Sequence, residues 1–144
     1  MHFWMALLLL AIGCQAPAPD HHDHGHHEHK APHGGTLIVL GEEAAHLELV
    51  LSPSGGMTVY VLDAEAENSI RVAQSELRIE VDGKPVLLKA HPSELTGERV
   101  GDCSEFQGDS SLRDNPPFQG TVFQIEVQGR SYEKITFKYP EGNE

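Results

Sequence analysis

Leu77-Arg-Ile-Glu-Val81, followed by Asp82-Gly83 and Pro85-Val-Leu-Leu-Lys89, decides the fold class. Apolar and charged residues alternate through 77–81, the period of a strand with one buried face. Asp-Gly is a favoured pair for a two-residue hairpin turn, since both central positions take positive φ. The stretch therefore predicts two antiparallel strands joined tightly at 82–83. The same pattern recurs on either side. Upstream, residues 46–51 place Leu47, Leu49 and Leu51 on one face, and residues 57–63 form a second apolar run. The turn signal Ser52-Pro-Ser-Gly-Gly56 between them predicts a second hairpin. Residues 36–40 are continuously apolar and read as a buried strand, and residues 70–72 as a short one. One helical turn is expected at 64–69. Downstream, residues 91–120 are rich in Pro, Gly, Ser and Asp, with one short strand near 103–107. Residues 121–127 and 132–139 close the chain as a hairpin around 128–130.

Seven to eight short strands with turn signals at intervals of roughly 8–12 residues predict an all-β fold, an antiparallel two-sheet β-sandwich, with a small barrel second. The expected core draws on Leu37, Val39, Leu47, Leu49, Val59, Val61, Leu77, Ile79, Val81, Leu88, Phe123, Ile125, Ile135 and Phe137. The final hairpin is expected as an outer pair, wetted by Arg130, Lys134 and Lys138.

This domain is preceded by a segment of different character. Asp20-His-His-Asp-His-Gly-His-His-Glu-His-Lys-Ala-Pro-His33 holds seven of the chain's ten histidines. It has no apolar periodicity, so it reads as a tether, extended by Pro17 and Pro19 on its N-terminal side. Imidazole is the commonest neutral nitrogen ligand for zinc, copper, nickel and cobalt. His21, His22, His24, His26, His27, His29 and His33 are therefore candidate ligands for a divalent transition metal ion. Asp20, Asp23 and Glu28 add oxygen donors. His46 opens the second strand. It reads either as a half-exposed residue opposite the leucine face or as a partner of His33 in a fixed site with Glu48 or Asp63. Gly34-Gly35 reads as a tight backbone approach, and His91 as a solvated loop residue.

The 144 residues carry 22 acidic and 10 basic side chains, a net charge of −12. The basic residues are scattered, which argues against nucleic acid. Two cysteines make neither a disulfide framework nor a Cys-only metal site. Cys103 has no His or Met after it, so the ligand cluster of a blue-copper site is missing. No Gly-x-Ser-x-Gly, Walker loop or His-Glu-x-x-His occurs, and no enzymatic activity is expected. Cys103, as a lone cysteine in a small domain, reads as a buried small hydrophobe.

Residues 3–12 form an apolar stretch too short to span a bilayer, of the length of a signal peptide core. Gly13-Cys14 after it resembles the lipobox of bacterial lipoproteins, with Ala11 where that family favours Leu. The resemblance implies cleavage before Cys14, lipid attachment there, and a membrane-anchored place in the cell envelope. Pro32-His33-Gly34-Gly35 behind the acidic histidine tract resembles small His-rich periplasmic lipoproteins and, more faintly, the leading segments of periplasmic adaptors of heavy-metal efflux pumps. The long helical hairpin and lipoyl-like halves of such adaptors are absent from this chain. The expected organisation is a leader at 1–13, a His-rich linker at 14–33 and a β-domain at 34–144. The expected function is binding or buffering of a divalent transition metal, with hand-off to an envelope metal transporter. The alternative is an envelope module for a protein or glycan partner, with Glu65, Glu67, Asp102, Glu105 and Asp109 as its working surface and the tract as a spacer.

Overall fold

A computed structural model describes residues 29–114 and 116–143. The expected leader, Cys14 and the tract histidines His21, His22, His24, His26 and His27 lie outside the described residues. Among the described residues the domain is all-β, with eight antiparallel strands and one 3₁₀ turn at Glu94–Thr96. In chain order they are β1 (Thr36–Leu40), β2 (Ala45–Leu51), β3 (Gly56–Leu62), β4 (Glu76–Val81), β5 (Lys84–Ala90), β6 (Glu105–Asp109), β7 (Phe118–Val127) and β8 (Arg130–Tyr139).

The three expected hairpins are present as β2–β3, β4–β5 and β7–β8. The last two turn on Asp82-Gly83 and Gln128-Gly129, whose four residues all have positive φ between 46° and 79°. That is the turn whose twist matches paired strands. The expected helical turn at 64–69 is instead an Asp63-capped loop. The expected strand at 70–72 reduces to one bridge between Val72 and Cys103.

The two-sheet sandwich is corrected. The strands form one continuous sheet in the order β1-β2-β3-β6-β5-β4-β7-β8. The joint is β6, which pairs with strands on both sides: Phe106 stands opposite Val59 of β3 and Ala90 of β5. A short strand after a long polar loop thus stitches together what the hairpins alone present as two sheets. On the far side, the Asp82 carboxylate accepts the Gln119 N–H at 3.0 Å, extending the β4–β7 pairing.

The sheet curls until its two edges meet, giving a nearly closed barrel. The turn after β8 carries the closure. The Pro140 carbonyl accepts from the Thr36 hydroxyl at 3.0 Å. The Asn143 side-chain oxygen accepts the Val39 N–H at 2.7 Å, and its NH₂ donates to the Val39 carbonyl at 3.1 Å. One amide side chain thereby takes the place of a peptide group along the edge of β1, where an open strand would otherwise expose its ladder.

The barrel interior is apolar, with Ile38, Leu47, Leu49, Val59, Leu77 and Ile79 wholly enclosed. Two expectations about the core are corrected. In β1, Ile38 and Leu40 point inward while Leu37 and Val39 are half-buried. All the side chains from 37 to 40 are apolar, so composition does not say which parity faces in. In β7, Val122 and Ile125 are buried and Phe123 is 42% exposed. Phe123 and Gln124 are both exposed in succession, as are Glu133 and Lys134 across from them, and Lys134 takes φ 53°. This paired irregularity shifts the alternation by one residue in both strands and turns Phe123 outward. Ile135 is only partly buried.

Candidate metal centre

Alternation along β2 sends Leu47, Leu49 and Leu51 into the barrel and His46, Glu48 and Val50 outward. Yet His46 and Glu48 are both fully buried. What the outer face packs against is the segment 29–35, which lies across it as a strap.

The strap is shaped by its own residues. Pro32 sits in the second position of a turn closed by the Gly34 N–H donating to the Ala31 carbonyl at 3.2 Å, a place where its fixed φ fits. Gly34 takes φ 72°. A Cβ on Gly35 would stand 2.5 Å from the Leu49 carbonyl and 2.8 Å from the Val50 side chain. Only glycine lets the backbone pass this close to β2, as the paired glycines predicted.

Glu48 clamps the strap. One carboxylate oxygen accepts the His33 N–H at 2.8 Å and the Gly35 N–H at 2.9 Å. The other is 2.7 Å from His33 Nδ1. A buried carboxylate is tolerable only when its oxygens are satisfied in this way. The His33 ring stacks on Tyr60, opposite Glu48 on β3, with centroids 3.8 Å apart and planes 12° from parallel. Burial, with the Glu105 and Glu48 carboxylates nearby, pushes the Tyr60 phenol above its ordinary value.

Four residues before His33, His29 meets His46. Their ring centroids are 4.7 Å apart, tilted by 56°. His46 Nδ1 is 3.1 Å from the Asp63 carbonyl. A carbonyl only accepts, so Nδ1 carries a hydrogen and Nε2 is the ring nitrogen left for another partner. That Nε2 is buried and has no partner, and neither has the buried Nε2 of His29. An unsatisfied buried polar atom costs ~1–3 kcal/mol, so two on adjacent rings call for an explanation. A carbonyl fixing one ring nitrogen while the other stays free is the arrangement that orients a metal-ligating histidine.

The sequence-derived candidates therefore divide. His29 and His46 are brought together. His33, expected as a ligand or as a partner of His46, meets Glu48 through Nδ1 and stacks its ring on Tyr60. His46, read as half-exposed in one expectation, is fully buried because the strap covers it. Asp63 meets His46 through its backbone carbonyl. Its carboxylate is occupied by the Glu67 and Asn68 N–H groups and the Asn68 amide, at 2.7–3.2 Å. Burial opposes the charge on Asp63, but these hydrogen bonds outweigh it and hold the carboxyl below its ordinary value. Among the described residues, no three His, Cys, Asp or Glu side chains cluster as a complete metal site. His91 is exposed, as expected for a loop residue.

Two other buried groups are accounted for. Burial pushes the Cys103 thiol up, and it donates weakly to the Glu105 carbonyl at 3.6 Å. Glu98 accepts from the Ser93 N–H at 2.9 Å and the Ser104 hydroxyl at 2.7 Å, with Arg71 at 3.8 Å. Burial works against its charge, but these partners together hold its carboxyl below the usual range.

Comparison of the chain with protein-family models, curated proteins and solved structures finds no match.

Proposed function

We propose that this is an exported, lipid-anchored protein of a bacterial envelope that binds or buffers a divalent transition metal through its histidine arm and His46. The observation carrying the reading is the meeting of His29, the last histidine of the dense run, with His46 of the barrel, each with a buried and unpartnered Nε2. The arm supports it with six imidazoles between residues 21 and 29, separated by at most one residue or two. Such spacing lets several imidazoles reach one ion without a preformed cavity. Gly13-Cys14 supports the lipid anchor at Cys14, which would hold the arm near an envelope transporter. The mechanism is equilibrium binding, with no bond made or broken in the cargo.

Protons compete with metal for the same nitrogens, so affinity falls below about pH 6. Titrating the full chain, purified without a nickel column, with zinc or nickel at pH 7.5 and pH 5.5 tests the reading. Saturable heat at the higher pH and little at the lower is expected. No binding at pH 7.5 would overturn it.

The alternative, a docking module working through its acidic loops, has less support. Asp102 is 3.4 Å from Arg71, Asp109 is 3.8 Å from Arg113, and Glu105 accepts from the Gln107 amide at 2.6 Å. Those carboxylates are engaged locally, with Glu105 and Asp109 at opposite ends of β6.

A further inference from the structure

The geometry points to a discrete two-imidazole seat for one nitrogen-preferring cation, made by His29 Nε2 and His46 Nε2, that belongs to the folded domain and works independently of the rest of the tract. The inference deepens the metal reading and rests on it, but it assigns the first-bound ion to a fixed place.

Three observations carry it. The donors are prepared: the Asp63 carbonyl holds His46 in the tautomer that leaves Nε2 open, and both nitrogens are buried without partners. Their meeting is preset by residues that are not ligands. His46 and Glu48 are two apart on the outer face of β2, and His29 and His33 are four apart on the strap. Glu48 grips His33 and Gly35, and the turn at Pro32 sets the path between the two contacts. Glu48 is thus a positioning residue for His29. The donor set is also selective. The carboxylates of Glu48 and Asp63 are consumed by hydrogen bonds, and the Cys103 thiol is buried against the Glu105 carbonyl. Two imidazoles without carboxylate or thiolate suit copper(II), nickel, zinc or cobalt, and do not suit magnesium or calcium, which require oxygen ligands.

Two protein donors leave coordination positions for water or for an incoming ligand. Closed structural sites use four protein ligands, whereas open positions permit exchange. A seat of this kind takes up an ion and releases it to another set of donors, as a buffering or hand-off protein requires.

The test uses the full chain with His21, His22, His24, His26 and His27 all replaced by Asn, leaving His29, His33 and His46 in place. Calorimetric titration with zinc and with copper(II) at pH 7.5 should show one ion bound per chain, copper the tighter, and magnesium none. Adding His29→Asn, which alters the strap and leaves the barrel untouched, should weaken binding by roughly tenfold or more. His46→Gln should do the same, its folding checked by circular dichroism. If the five-fold variant binds nothing while the unaltered chain binds zinc, the seat is overturned and the tract reading stands. If the five-fold variant binds but His29→Asn changes nothing, the seat is again overturned. If the unaltered chain binds no metal at all, both readings fall together.

Discussion

Of the two glycines in the strap, Gly35 has the less room for a side chain. A methyl group there would press on the Leu49 carbonyl, a backbone atom that cannot move without disturbing β2. Gly35→Ala should therefore lower stability by about 1–3 kcal/mol, read as a lower urea midpoint. It should also speed proteolysis N-terminal to residue 36, because the strap can no longer seat. Glu98 makes a different prediction. Its folded-state pKa is depressed, so its contribution is fully present above the unfolded glutamate value of about 4.3 and is lost as pH falls through the folded value. The stability difference between the wild-type chain and Glu98→Gln should be greatest near neutrality and shrink on acidification below that point. A difference unchanged between pH 7 and pH 3 would show that the carboxylate charge contributes nothing.

Strands and their turns were the most legible part of the sequence, for local reasons. Asp82-Gly83 announces its hairpin because few residues tolerate two successive positive φ angles. The Leu47, Leu49, Leu51 face is set by simple alternation. The failures are equally specific. The side chains of residues 37–40 are apolar at every position, so parity was undetermined, and a positive-φ residue at Lys134 displaced the alternation that would have buried Phe123. The joint at β6 depends on pairings with both Val59 and Ala90, partners far apart in sequence, which local pattern does not report. The site was half legible. The paired glycines foretold a close approach, and His46 was expected to meet a histidine, though His33 was named where the structure places His29. The burial of His46 was missed although a signal existed next to it: β1, the neighbour of β2, carries apolar residues on both faces, at Leu37 and Val39 as well as Ile38 and Leu40, as strands covered on both sides do. The closing turn supplies a prediction at this scale. Asn143→Ala removes both hydrogen bonds to Val39 and should cost about 1–2 kcal/mol in urea unfolding. It should also speed amide exchange at Val39, with the amides of β3 unaffected.

One continuous sheet presents β2 so that its inner face holds the core and its outer face holds His46 and Glu48. The strap then joins arm to barrel at two points, the Glu48 clamp and the His29–His46 pair. Metal bound at the second point favours the docked strap and the folded barrel together. Zinc at a hundred times its dissociation constant should therefore add about 2.7 kcal/mol, seen as a rise in Tm that a chelator reverses. The net charge of −12 adds a general attraction for cations without choosing among them, so selectivity falls to the imidazoles. The most direct test follows the ring nitrogens of His46 in long-range ¹H–¹⁵N spectra of the full chain as one equivalent of zinc is added at pH 7.5. The account predicts a hydrogen held on Nδ1 by the Asp63 carbonyl before zinc, and a change centred on Nε2 after it, with His29 Nε2 changing in step. A His46 ring whose hydrogen resides on Nε2, or one whose Nε2 signal stays fixed while the chain takes up zinc, would contradict it.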